Sequence, residues 1–143
     1  MSLALTIGLS LPTILISVFA HYETLRWLAR ITRRRGNFGR RHLFVAISGL
    51  VAAHIAEIAL FAAAFYLAVN VLKVGAFIEP HPMAVGDYFY YAAETYSSLG
   101  YGDIYPLGQI RLLASVTPLI GILLLGWSGA FLFSLVEADD AHR

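Results

Sequence analysis

The sequence predicts an all-α membrane protein, with three transmembrane helices and a short re-entrant helix between the second and the third. Three observations carry this. Of 143 residues, 59% are hydrophobic and only 13% charged, with a mean hydropathy of +0.71; soluble chains carry about a quarter charged residues. Three stretches, about Leu3–Tyr22, Leu43–Leu72 and Leu112–Val136, are apolar over the roughly 20 helical residues that cross a hydrocarbon core. Between the last two, Tyr88–Ser97 is aromatic and helix-compatible but too short to span.

The first stretch has no formal charge and contains Pro12. Membrane helices tolerate proline, so a kink is expected there and not a break. No Lys or Arg precedes its apolar core, as a cleaved signal peptide would require, and it is read as a retained helix. Seven of the ten Lys and Arg residues then follow, between Arg26 and Arg41. Basic loops stay cytoplasmic, which places the N-terminus outside, the Lys73–Gln109 connection outside and the C-terminus in the cytoplasm of a cell (plasma or inner) membrane. Arg33, Arg34, Arg35, Arg40 and Arg41 also form a juxtamembrane patch suited to anionic lipid. A voltage sensor needs arginines within a spanning helix, whereas Arg26, Arg30 and Arg33 are expected in a polar loop beyond it.

The second stretch is longer than a span requires, which implies tilt or extension beyond lipid. Within it His54 and Glu57 lie one helical turn apart, and ionisable groups at that depth are expected to face protein and to pair. Histidine opens a pH-sensing role; a metal site is disfavoured because no third ligand has an obvious spacing. Ile78–Met83 is rich in turn residues, and Asp87 is a natural N-cap for Tyr88–Ser97. In the third stretch Pro118 removes the hydrogen bond to the Ala114 carbonyl and should kink the helix. Glu137, Asp139 and Asp140 then read as an acidic tail, either solvated or concentrating cations at an inner mouth. The tail is too short for a nucleotide- or calcium-binding domain, so a ligand gate is expected in the membrane or on a partner.

Chemistry is carried by Ser97–Pro106. Non-helical backbone at membrane depth survives only where protein covers it or where it lines a wet cavity. A dehydrated potassium ion needs oxygens at matched spacing, and rings of backbone carbonyls supply them. Consecutive carbonyls can face one way only if some residues take conformations cheap for glycine, and Gly100 and Gly102 stand there. Ser98 adds a hydroxyl oxygen. One strand cannot surround an ion, so this reading requires a homotetramer.

Glu94-Thr-Tyr-Ser-Ser-Leu-Gly-Tyr-Gly-Asp-Ile-Tyr-Pro106 resembles the pore signature of the potassium-channel superfamily, especially the bacterial two-helix channels. The likeness covers about Leu43–Val136, with the N-terminal helix outside it. It implies K+ sites at Ser98, Leu99, Gly100, Tyr101 and Gly102, and an aromatic pair, Tyr90 and Tyr91, bracing this selectivity filter. It further implies an acidic pair beside the filter, Glu94 and Asp103; two such carboxyls can share a proton, and the pair is expected behind the filter, tuning slow inactivation, the alternative being a solvated Asp103 and a merely packed Glu94. Gly121 matches a hinge glycine of the inner helix and Gly126 a second small position; with Pro118 they would form the gate. Equally, the glycines would only allow close helix packing. The sequence departs from the family at Ser98, where Thr is usual, at Leu99, where Val is usual, and at Tyr90 and Tyr91, where Trp is frequent.

The resulting division is an N-terminal helix and basic loop over 1–41 and a pore domain over 42–143. Without cysteine there are no thiolate metal sites or disulfides, and no phosphate loop, zinc motif or nucleophile elbow points to an enzyme. A passive potassium channel is the expectation. Its alternatives are a weakly selective cation channel and a non-conducting regulatory subunit.

Overall fold

A computed structural model describes residues 2–33, 40–79 and 81–140. Helix α1 is Ser2–Arg33 and α2 is Arg40–Tyr66, which runs into a π-helical turn at Leu67–Val71. Strand β1 (Gly75–Ile78), the short helix α3 (Val85–Tyr96), strand β2 (Tyr105–Gly108) and helix α4 (Ile110–Asp140) follow. Segments Ser2–Thr32, Arg41–Val71 and Ile110–Ala138 are helices long and apolar enough to cross a membrane. The three-span, all-α architecture stands.

Helix α1 runs on past Tyr22 and passes Pro12 unbroken. At 1.5 Å per residue its 32 residues outrun a hydrocarbon core of about 30 Å. The arginines expected in a loop are therefore helical at its end. Arg26 pairs with Glu23 at 2.8 Å, one turn away, and Arg30 approaches Glu23 at 4.0 Å, all three side chains exposed. Leu, Ala and Arg are good helix formers, and the charges prolong the helix where the lipid ends. Arg34 and Arg35 lie outside the described residues, as do the side chains of Arg33 and Arg40; Arg41 is exposed.

The buried face of α1 carries Thr6, Ser10, Thr13, Ser17, His21, Leu25, Leu28 and Thr32, at the three- and four-residue spacing of one helical stripe. Small hydroxyl residues let α1 approach its neighbours closely, and most satisfy themselves on the preceding turn. Ser10, for example, donates to the Thr6 carbonyl at 2.7 Å and Thr13 to that of Leu9 at 2.8 Å. Leu11, Leu15, Ile16 and Phe19 point outward, as lipid-facing residues must.

Against the end of α2, α3 is packed by edge-to-face rings. Phe65 and Tyr91 lie 5.0 Å apart and Phe77 and Tyr91 4.6 Å apart. Asn70, within the π turn, donates to the Tyr88 hydroxyl at 2.7 Å. Helix α3 starts earlier than the sequence reading placed it. Ala84 is the N-cap and has no side chain to offer, so Asp87 is the third helical residue, accepting from the Ala84 N–H at 2.7 Å. The segments flanking α3 pair as a two-stranded antiparallel ribbon, Gly75 opposite Gly108 and Ile78 opposite Tyr105. Helix α4 continues through Glu137, so the expected tail is largely helical.

Candidate ion-permeation site

Helix α3 ends at Tyr96, and the chain then turns through Ser97–Asp103, every residue of which is exposed in the single chain. φ is positive at each second residue: +61° at Ser98, +55° at Gly100 and +79° at Gly102. Alternating handedness of this kind collects successive N–H groups on one side of a strand. The Leu99 and Gly100 N–H groups donate to the Glu94 carbonyl at 2.8 and 3.2 Å, and the Tyr101 N–H to Glu94 Oε2 at 2.9 Å. With all peptides trans, the carbonyl preceding each N–H points the opposite way. The carbonyls of Ser98, Leu99 and Gly100 are thereby turned from α3 toward the open side. Glycine was expected to bear this geometry at two positions; Ser98 adopts it as well.

Glu94 is the pivot of the loop. Burial raises its carboxyl above the usual carboxylate range, the Tyr101 N–H pulls it back, and the charge of Asp103 adds to the rise. The folded protein accordingly keeps this proton to higher pH than the unfolded chain. Its contribution to stability is present at low pH and is lost as pH rises from the ordinary range through the raised value. Glu94→Gln should flatten that part of the profile, read as the unfolding midpoint of detergent-solubilised protein from about pH 4 to 8.

The proposed supports separate in space. Tyr90 reaches the loop: its ring stacks on that of Tyr101, 6.3 Å between centroids and 4° between planes, and its hydroxyl donates to Asp103 Oδ2 at 3.1 Å. Tyr91 faces the other way, into Phe65 and Phe77, and anchors α3 to α2 and β1. Each member of the acidic pair has its own donor, the Tyr101 N–H for Glu94 and the Tyr90 hydroxyl for Asp103.

A family model for ion channels matches residues 43–138. The chain belongs to that family. No curated protein and no solved structure matches it. The match covers nearly all of α2 and α4, with α3 and the loop between them, the two-helix, potassium-channel-like pore domain that the sequence resembles. The channel's first helix lies outside it.

Of the gate candidates in the channel, Gly121 lies where α4 passes beneath the end of α3. A Cβ there would collide with the Tyr96 carbonyl oxygen, whereas nothing lies within 4 Å of one at Gly126. Close packing is therefore a property of Gly121. Pro118 sits one turn before it, in a helix that continues unbroken.

The channel also holds a polar cluster only half legible in its sequence. His54 Nδ1 and Glu57 Oε2 pair at 3.1 Å, as their spacing implied. Glu57 Oε1 meets Nδ1 of His21, from α1, at 2.8 Å. The Tyr96 hydroxyl donates to Glu57 Oε2 and lies 2.9 Å from His54 Nδ1. Ser128 Oγ lies 2.9 Å from Nε2 of His54 and 3.3 Å from that of His21. His21 is the third ligand-type residue for which the sequence showed no spacing.

Proposed function

We propose that this channel conducts K+ selectively and passively as a homotetramer. The observation that carries the reading is the alternation of φ at Ser98, Gly100 and Gly102, with three successive N–H groups drawn to Glu94. Four such strands around an axis would present rings of carbonyls from Ser98, Leu99, Gly100, Tyr101 and Gly102, with the Ser98 hydroxyl innermost, in place of the hydration shell of K+. Leu99 and Tyr101, 57% and 67% exposed on a single chain, call for the cover of neighbouring subunits at this depth.

The basic loop puts the N-terminus outside and the C-terminus in the cytoplasm of a cell membrane, with anionic lipid at Arg33, Arg34, Arg35, Arg40 and Arg41. Bending of α4 about Pro118, Gly121 and Gly126 gates the inner mouth, and Glu94 with Asp103 tunes inactivation. The test is flux from purified protein in liposomes, with Na+ substituted for K+ and barium as blocker. Barium-sensitive current with a reversal potential that follows K+ is expected. Equal reversal potentials for the two ions would leave a weakly selective cation channel, and absence of flux a non-conducting subunit.

A further inference from the structure

We propose that His21 is a positioning residue for the pore, completing from α1 a buried brace that fixes the Tyr96 hydroxyl and with it the end of α3 from which the filter strand hangs. This rests on the conduction reading above. Tyr96 is the last residue of α3, 1% exposed, and is held at two points. Its carbonyl lies against Gly121 of α4, and its hydroxyl is bonded to Glu57 of α2. Two residues back, the carbonyl and carboxylate of Glu94 hold the N–H groups of Leu99, Gly100 and Tyr101. A shift of the α3 end is thus passed directly to the filter strand.

Glu57 can hold Tyr96 only if its own charge is satisfied, because an unpaired carboxylate inside a span is costly. Three groups surround it: His21 Nδ1 at Oε1, and His54 Nδ1 and the donating Tyr96 hydroxyl at Oε2. Among the described residues, Oε1 meets only His21, which is fully buried. Its ring is covered by His54 at 5.2 Å and Trp127 at 5.8 Å between centroids. The other nitrogens of the two histidines face the single Ser128 hydroxyl, which has one proton to give. The titratable groups that meet in the cluster, from the elements packed there, are His21, His54, Glu57 and Tyr96. Each ring nitrogen and carboxylate oxygen of the cluster has a protein partner, as a hydrogen-bonded brace requires. Helix α1, outside the matched pore domain, becomes a working part of the pore.

The test compares full-length wild type, His21→Ala, His21→Asn, Tyr96→Phe and the His21→Ala/Tyr96→Phe double variant in liposomes. It reads the K+/Na+ permeability ratio and hydrogen exchange of the 97–103 amides. Tyr96→Phe removes one oxygen and keeps the packing, so it carries the test even if His21→Ala folds poorly. Each single variant should lower the ratio about tenfold, the scale of one hydrogen bond to a buried charged group, and speed exchange. The double variant should be no worse than either single one, and His21→Asn, which can still donate to Glu57, should restore most of the ratio. Wild-type ratios and exchange in the variants of a conducting channel, or effects that multiply independently, overturn the brace. A silent wild type whose exchange still responds to His21→Ala and Tyr96→Phe overturns the conduction reading and upholds the brace.

Discussion

Gly102→Ala should abolish selective K+ current while leaving the fold intact, and Gly100→Ala should do nearly the same. No neighbouring atom stands within 4 Å of a Cβ at either position, so collision within the chain is not the cause. The cause is backbone: φ is +79° at Gly102 and +55° at Gly100, where an L side chain costs about 1–2 kcal/mol. In the proposed tetramer each subunit bears that cost at the same level of the pore. The cheapest relief is for the residue to leave the left-handed region, which turns a peptide plane and removes its carbonyl from the ring. Liposome flux and the reversal potential measure this directly. D-alanine at position 102, which favours positive φ, should retain K+ selectivity. A Gly102→Ala channel with unaltered selectivity would remove the reason for assigning ion sites to this strand.

Gly121→Ala should be the most destabilising single-methyl change in α4, by about 1–3 kcal/mol, the usual range for overpacking a filled site. The added carbon would collide with the carbonyl oxygen of Tyr96 and meet its carbonyl carbon at 2.8 Å and its ring at 3.1 Å, so α3 or α4 must shift. Gly126→Ala meets nothing within 4 Å and should leave the unfolding midpoint unchanged. Thermal unfolding of the solubilised protein separates the two. Equal losses would mean that the approach of α3 to α4 does not limit stability. Because Tyr96 is also the anchor of the polar brace, Gly121→Ala should speed hydrogen exchange in the filter segment as well, a link that a hinge alone would not create.

Much of this was readable in the sequence because it is local. The spans follow from runs of apolar residues, and the pairing of His54 with Glu57 from a helical turn. The loop follows from two glycines in fixed spacing after a short aromatic helix. What escaped depends on residues distant in the chain. His21 lies 36 residues from Glu57, and Tyr96 lies 39 from it, with no periodicity joining them. The ribbon escaped because its strands have four residues each, lie far apart and include Pro106, which fits a strand only at an edge. The separation of Tyr90 from Tyr91 was hidden for another reason. Adjacent residues on a helix point about 100° apart, and sequence alone does not say which one meets the loop.

The ribbon acts as a rivet. It ties the end of the second span to the start of the third, and the largest buried cluster, from Phe61 and Phe65 to Tyr91 and Leu113, lies beside it. At the opposite ends of the helices, among the described residues, Leu25, Leu28 and Leu50 form a smaller buried apolar group. A pair of tongs joined at one end opens at the other. Rearrangement of the helices is thus directed to the ends remote from the rivet, and the segment around Ser97–Asp103 is held on the riveted side.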